Sequence, residues 1–264
     1  MAVTSMANSS IRDSNRRNGM SYPAEQLEYL VVSGGGGGGN DMGGGGGAGG
    51  YRSSVIGEYS GGGVTPENTL PIYPGDSFAI AVGAGGKPGT ASTFHNVIPL
   101  AGGNGGNNGS NGSAGGSGGG GGKSNSGGAG TAGEGFAGGN APGGVNTGAG
   151  GGGALEAASG TSEGAGLPSY ITASVLVRAS GGPPGAANTG DGFSGTANTG
   201  NGAKGGGSSG RTGGSGGSGV IALRVPITRS ITFSGGVTST TGTFGSNRWY
   251  EITAAGPTDT ATVV

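Results

Sequence analysis

Few residues in this chain could do chemistry, and they are scattered. Ser117–Ser124 reads SGGGGGKS. That is close to the phosphate-binding loop, in which backbone N–H groups cradle a phosphate and a Lys reaches it. The loop needs glycine where Ser117 stands, a strand before it and a helix after it. Here Gly, Asn and Ser precede it and nothing helical follows. GxGxxG matches recur throughout a chain with 75 glycines in 264 residues, so they carry no information. His95 is the only histidine and there is no cysteine, which argues against a transition-metal site, a disulfide framework and a thiolate nucleophile. No serine sits in the nucleophile-elbow setting that could use His95. Glu156 and Glu163 lie in a loop without an apolar wall to separate two carboxyl pKa values. The sequence therefore predicts no enzyme, no cofactor and no metal.

The elements available to position anything are unusual. Glycine makes up about 28% of the chain, against roughly 7% in an average protein. Leu, Ile, Val and Phe number only 39. So low a share signals disorder when paired with a large net charge, but the formal charge is −1. Near neutrality removes the basic footprint expected of a nucleic-acid binder. No apolar run approaches the 18 residues or so of a membrane span, and Met1–Met20 lacks the apolar stretch of a signal peptide. The Asn-x-Ser sequons at Asn8, Asn108 and Asn111 matter only in a secreted protein. A collagen frame is not kept.

Composition divides the chain into a polar segment 1–26, a glycine-rich domain 27–226 and a β-prone tail 227–264. Strand candidates punctuate the glycine: Leu27–Val32, Phe78–Val82 with period-two alternation, a weaker Thr93–Leu100 containing His95, Tyr170–Val177, and Val220–Val225. In the tail, Ile231, Phe233, Trp249, Tyr250 and Ile252 supply apolar positions for two to four short strands, with Trp249 read as a packing anchor. Fewer than about 40 residues rarely fold alone, so the tail is expected to pack on the glycine domain or pair with another copy at a strand edge.

Between these pieces glycine keeps a period of three, from Gly103 through Gly106, Gly109, Gly112, Gly115 and Gly118 to Gly121, and again from Gly207 to Gly219. Three residues per turn is the repeat of the polyproline-II-type helix, which has no internal hydrogen bonds. Packed side by side, such helices pair N–H and C=O groups between neighbours, and only glycine lets them approach. The competing reading is a flexible Gly/Ser linker. Interspersed strands, uncharged runs and great length favour packing. The predicted fold is mostly irregular, of all-β class: a sandwich of polyglycine-II helices with flanking strands, a small C-terminal β segment and essentially no α-helix. Richer segments between runs read as surface loops, where binding resides. They nominate Tyr51, Arg52, Tyr59, Phe136 and Phe193 as contact residues.

The strand YLVVS entering GGGGGGNDMGGGGGAGGYR at Gly34–Arg52, the SFAIAVGAGG segment at Ser77–Gly86 and the closing GGSGVIALRV at Gly216–Val225 resemble the glycine-rich domain of bacteriophage tail fibres and fibre-tip adhesins. A similar entry occurs in the extracellular glycine-rich domain of the anaplastic lymphoma kinase family. The phage resemblance implies loops at the distal end of the sandwich that contact a host receptor, protein or glycan, and a virion protein synthesised in the host cytoplasm and carried on the tail. It also implies several copies, with a homotrimer as one arrangement. The short segment 1–26 differs from a folded attachment domain and is expected to anchor on another virion component through Arg12, Asp13, Arg16 and Arg17. A decoration or fibre-shaft component without receptor binding is the alternative, and an ice-binding polyproline-II bundle a second.

Overall fold

The computed structural model describes residues 24–264, and the proposed anchor residues Arg12, Asp13, Arg16 and Arg17 lie outside them. Among the described residues there is no α-helix, only short strands, one 3₁₀ turn at Gly61–Gly63 and long irregular glycine runs. The strands are β1 (Glu25–Val32), β2 (Tyr51–Ser53), β3 (Leu70–Ile72), β4 (Ser77–Ala81), β5 (Thr93–Phe94), β6 (Leu167–Ser169), β7 (Leu176–Arg178), β8 (Val220–Pro226), β9 (Ile231–Phe233), β10 (Thr238–Phe244), β11 (Asn247–Ala254) and β12 (Asp259–Val263). Pairing throughout is antiparallel. One sheet runs β10-β11-β8-β1-β2, with β3 also on β1; a second runs β5-β4-β12-β9; β6 and β7 form a hairpin.

Side-chain alternation explains the two apolar clusters. Successive strand residues face opposite sides. On β1, Leu27, Tyr29 and Val31 enter one cluster, whereas Leu30 and Val32 enter the other. On β8, Ile221, Leu223 and Val225 join the first and Val220 and Ala222 the second. Both strands are thus buried on both faces, which is why each reads as an unbroken apolar run. The first cluster lies between the sheets and takes in Phe78, Phe94, Tyr250 and Val263. The second, with Ala48, Tyr51, Ala154 and Ala179, joins strand to glycine run. The tail packs onto the rest of the chain: β11 pairs β8, and β12 pairs β4. The Trp249 ring lies across Gly242, where an added Cβ would come within 2.5 Å of it.

The remaining glycine runs have no side-chain core. Residues 43–50 show what replaces it. The N–H groups of Gly43, Gly46 and Gly49 donate to Gly206, Ala203 and Gly200; those of Gly44, Gly47 and Gly50 to Gly106, Gly103 and Leu100; those of Gly45 and Ala48 to Ala149 and Gly152. Their carbonyls accept in the same rhythm. Gly43 and Gly46 accept from Gly185 and Gly182, Gly44 and Gly47 from Gly39 and Gly36, and Gly45 and Ala48 from Gly120 and Ser117. Three donor directions and three acceptor directions give this run six neighbours, the hexagonal packing of polyglycine-II helices. From Gly43 to Ala48 every N–H and every carbonyl is satisfied from outside the run.

Three readings of the sequence are corrected. Tyr170–Val177 is not one strand: residues 170–175 form the turn of the β6–β7 hairpin, with Ala173 at φ 67°, and only Leu176 and Val177 lie in β7. Thr93–Leu100 holds only the two-residue β5, and His95 sits exposed in the following turn at φ 52°. The period-three tracts are not single helices: Gly109 and Gly210 occupy turns at φ 78° and 73°, so each tract spans two or more passes.

Close approach makes a sharp prediction. A Cβ on Gly45 would overlap the Gly182 carbonyl oxygen, whereas one on Gly143 meets nothing within 4 Å. In urea denaturation, Gly45→Ala is expected to lose about 1–3 kcal/mol or more. Gly143→Ala should be neutral, or stabilising by up to ~1 kcal/mol.

Candidate functional site

The runs alternate in direction, so their turns gather at two ends. At one end Met42 is central. Its N–H donates to Gly207 (3.0 Å), its carbonyl accepts from Lys123 (3.1 Å), and the neighbouring Asp41 N–H donates to Arg211 (2.9 Å). Asn108 donates to the Asn40 carbonyl (3.1 Å), Ala141 to Asn125 (2.8 Å) and Ala187 to Asn146 (2.8 Å), while the Asn188 N–H meets Ser208 Oγ (3.2 Å). Six turns distant in sequence thereby form one surface. Asp41, Met42, Ser124, Asn188 and Ser209 carry left-handed backbone there, a conformation that Asn and Asp tolerate better than other side chains. The surface is polar: Asn, Ser and Thr dominate, Lys123 and Arg211 are balanced by Asp41 and Asp191, and Val145 is 44% exposed.

The five nominated contact residues do not converge on this turn end. Tyr51 is a correction: it follows the return run 43–50, forms β2 and is fully buried in the second cluster. Arg52 is half-buried at the same strand end. Its Nε and Nη2 donate to the Glu67 carboxylate at 2.5 and 2.9 Å, and the Tyr29 hydroxyl donates to that carboxylate at 2.8 Å. Tyr59 is 60% exposed there, and the half-buried Phe136 ring borders the Gly63 turn. Phe193 is exposed on the flank, with the Lys204 ammonium 5.6 Å from its ring centre. The turn-end residues were missed, although their signal was present: Asn-Asp, Asn-Asn-Gly, Lys-Ser and Ser-Ser-Gly interrupt the glycine, and these are turn formers.

The strand end is held by charge. Buried Arg178 pairs with Glu251 of β11, and Arg224 Nε meets Glu28 Oε2 at 2.6 Å. The glycines of the loop-like SGGGGGKS stretch are interior, and their N–H groups are spent: Gly118 through Gly122 donate to Phe136, Ser113, Gly45, Gly139 and Ser110. It has no cradle left for a phosphate. Among the described residues, no group of His, Cys, Asp and Glu could hold a metal ion, and no helix is long and apolar enough to cross a membrane.

Glu134 offers a pH test of the strand end. Burial pushes its carboxyl above the ordinary range, opposed by the Leu100 N–H that donates to Oε2 (2.7 Å) and by Arg52. The folded state therefore holds this proton more tightly than the unfolded chain. The stability it contributes is present in acid and is lost as pH rises from the unfolded carboxyl value through the raised folded one. Glu134→Gln keeps an oxygen for Leu100 and removes the charge. Thermal melts should show it more stable than the parent at pH 7, with the difference vanishing below the ordinary carboxylate range.

Residues 17–226 match the glycine-rich domain family. No curated protein and no solved structure matches the chain significantly. The family match spans most of the chain and covers every run of the bundle, so this protein belongs to the glycine-rich domain family.

Proposed function

We propose that this chain is a phage virion structural protein, a tail fibre or tail-associated adhesin, whose turn end is presented for host-surface attachment. The supporting observation is the six-turn surface, built from separate segments and fixed by backbone hydrogen bonds to a bundle of glycine runs. Such a scaffold lets turn residues vary without altering the packing below them, which suits a surface that must change with its receptor. The YLVVS-to-polyglycine entry and the closing VIALRV strand add the phage resemblance. Binding is the mechanism, with avidity across copies multiplying a modest single-site affinity. Multiple copies are also favoured by β10, an exposed sheet-edge strand with no charge and no Pro between Thr238 and Phe244; natural proteins usually block such edges. The lack of an aromatic anchor at the turn end favours the second reading, a decoration or shaft component that binds only the particle.

Purified full-length protein is expected to bind a susceptible host and to block phage adsorption. Lys123→Glu combined with Val145→Asp at the turn end should weaken that binding at least tenfold, whereas Tyr59→Ala at the strand end should leave it intact. Folded protein that binds virions but no susceptible host would establish the decoration reading instead. Thr241→Lys, which charges the β10 edge, should reduce the mass measured by sedimentation.

A further inference from the structure

On the flank of the bundle beside the turn end lies a cleft of about 350 Å³ lined by four asparagines, Asn40, Asn104, Asn107 and Asn111, together with Lys87 and two serines. Here the outermost runs lack a neighbouring run to accept their N–H groups, and each asparagine supplies the missing acceptor. Asn104 Oδ1 accepts from the Gly37 N–H (2.9 Å), Asn107 Oδ1 from Asn40 (2.8 Å), Asn40 Oδ1 from Gly213 (2.9 Å) and Asn111 Oδ1 from Ser126 (3.1 Å). A backbone N–H can be met only by the amide oxygen, so chemistry sets the orientation of all four amides. Each oxygen is turned toward the scaffold N–H that it serves. Each NH₂ group, with two donors and no acceptor, is left on the other side of its carboxamide.

Lys87 adds a positive charge. Its side chain lies over Gly37, and its Nζ donates to the Gly213 carbonyl (2.6 Å) and to Asn40 Oδ1 (3.4 Å). That leaves part of its donor capacity free. No carboxylate lines the cleft. The nearest in sequence, Asp41, is engaged elsewhere: its Oδ2 accepts from Asn108 Nδ2 (3.1 Å) and its Oδ1 from the Gly210 N–H (3.4 Å). The serine hydroxyls can donate or accept as needed. There is no aromatic or branched apolar wall.

A cleft whose side chains present amide NH₂ groups and one ammonium, with no opposing carboxylate, is matched to oxygen acceptors that carry negative charge. We propose that it binds an anionic oxygen group, a carboxylate, sulfate or phosphate, free or borne on a small saccharide. Its volume falls within the range of small-ligand sites. Oxyanion binding here does not depend on the turn end meeting a host cell, and its test reads binding directly rather than adsorption.

The test is titration of the ¹⁵N-labelled full chain with inorganic sulfate, glucose 6-sulfate, glucuronate and neutral glucose, following the side-chain amide signals of Asn104, Asn107 and Asn111. The expected result is saturable movement of these signals with the anions and at least tenfold weaker binding of glucose. Comparing sulfate with glucose 6-sulfate tells a free ion from a saccharide-borne group, and binding of either supports the site. Asn107→Asp retains an oxygen for the Asn40 N–H but replaces the outward donor with an anionic acceptor, so it should cut anion affinity at least tenfold while the protein stays folded. Lys87→Met keeps the stem over Gly37 and should weaken binding too, which provides the reading if Asn107→Asp does not fold. No saturable binding by any anion, equal binding of glucose, or full affinity in both variants would overturn the proposal.

Discussion

A buried peptide group must have a hydrogen-bond partner, and a helix with three residues per turn cannot supply one from within itself. Everything else in the structure follows from that constraint. Each run in the interior must be surrounded, because its N–H groups leave in three directions and its carbonyls in three others. The run 43–50 meets the requirement with six neighbours drawn from residues as far apart as Gly36 and Gly206. Neighbours this close leave no room for a Cβ at most positions, which is why the composition is what it is. Fixing a residue's backbone costs roughly 1–2 kcal/mol, and glycine loses the most freedom. A backbone hydrogen bond returns only about 1 kcal/mol net. Dense mutual pairing is therefore a condition of folding here.

The apolar clusters supply what hydrogen bonding alone does not. β1 and β8 lead into and out of the bundle and are buried on both faces, so they tie its first and last runs together. Alanine is also buried within runs at Ala149 and Ala203, but at Ala48, Ala154 and Ala179 its methyl joins the second cluster, with Tyr51 and Leu167. Those are places where a run faces strands instead of another run. At the outer flank asparagine takes over, closing open N–H groups with side-chain oxygens. Glycine inside, alanine against the strands and asparagine at the rim are three answers to the same question of what lies beside the backbone.

Much of this was legible in the sequence. Leu27–Val32, Phe78 with Ile80, and Val220–Val225 were readable as strands because their alternation or continuous apolar character reports burial. The polyglycine-II class was readable from the three-residue period, although the tracts that carry it fold through turns at Gly109 and Gly210. What was not legible is which run lies beside which, since a glycine run presents the same surface at every position and carries no code for its partner. The hairpin turn at Thr172–Ser174 was hidden because it uses Ala173, not Gly or Asn, at positive φ. Tyr51 looked like a loop residue because it follows glycine, but the run that precedes it returns the chain to the strand end, where its ring is buried. The turn-end residues were marked in the sequence only as interruptions, and their convergence around Met42 is a property of the packing.

Hydrogen-bonded glycine runs, and not a solvated tether between strands, form the structural core. Native-state amide hydrogen exchange tests this most directly. Gly44, Gly47 and Ala48 are expected to exchange as slowly as the amides of β1 and β8, opening only with global unfolding. Exchange of those three at the rate of an unstructured glycine peptide, while β1 and β8 stay protected, would contradict it.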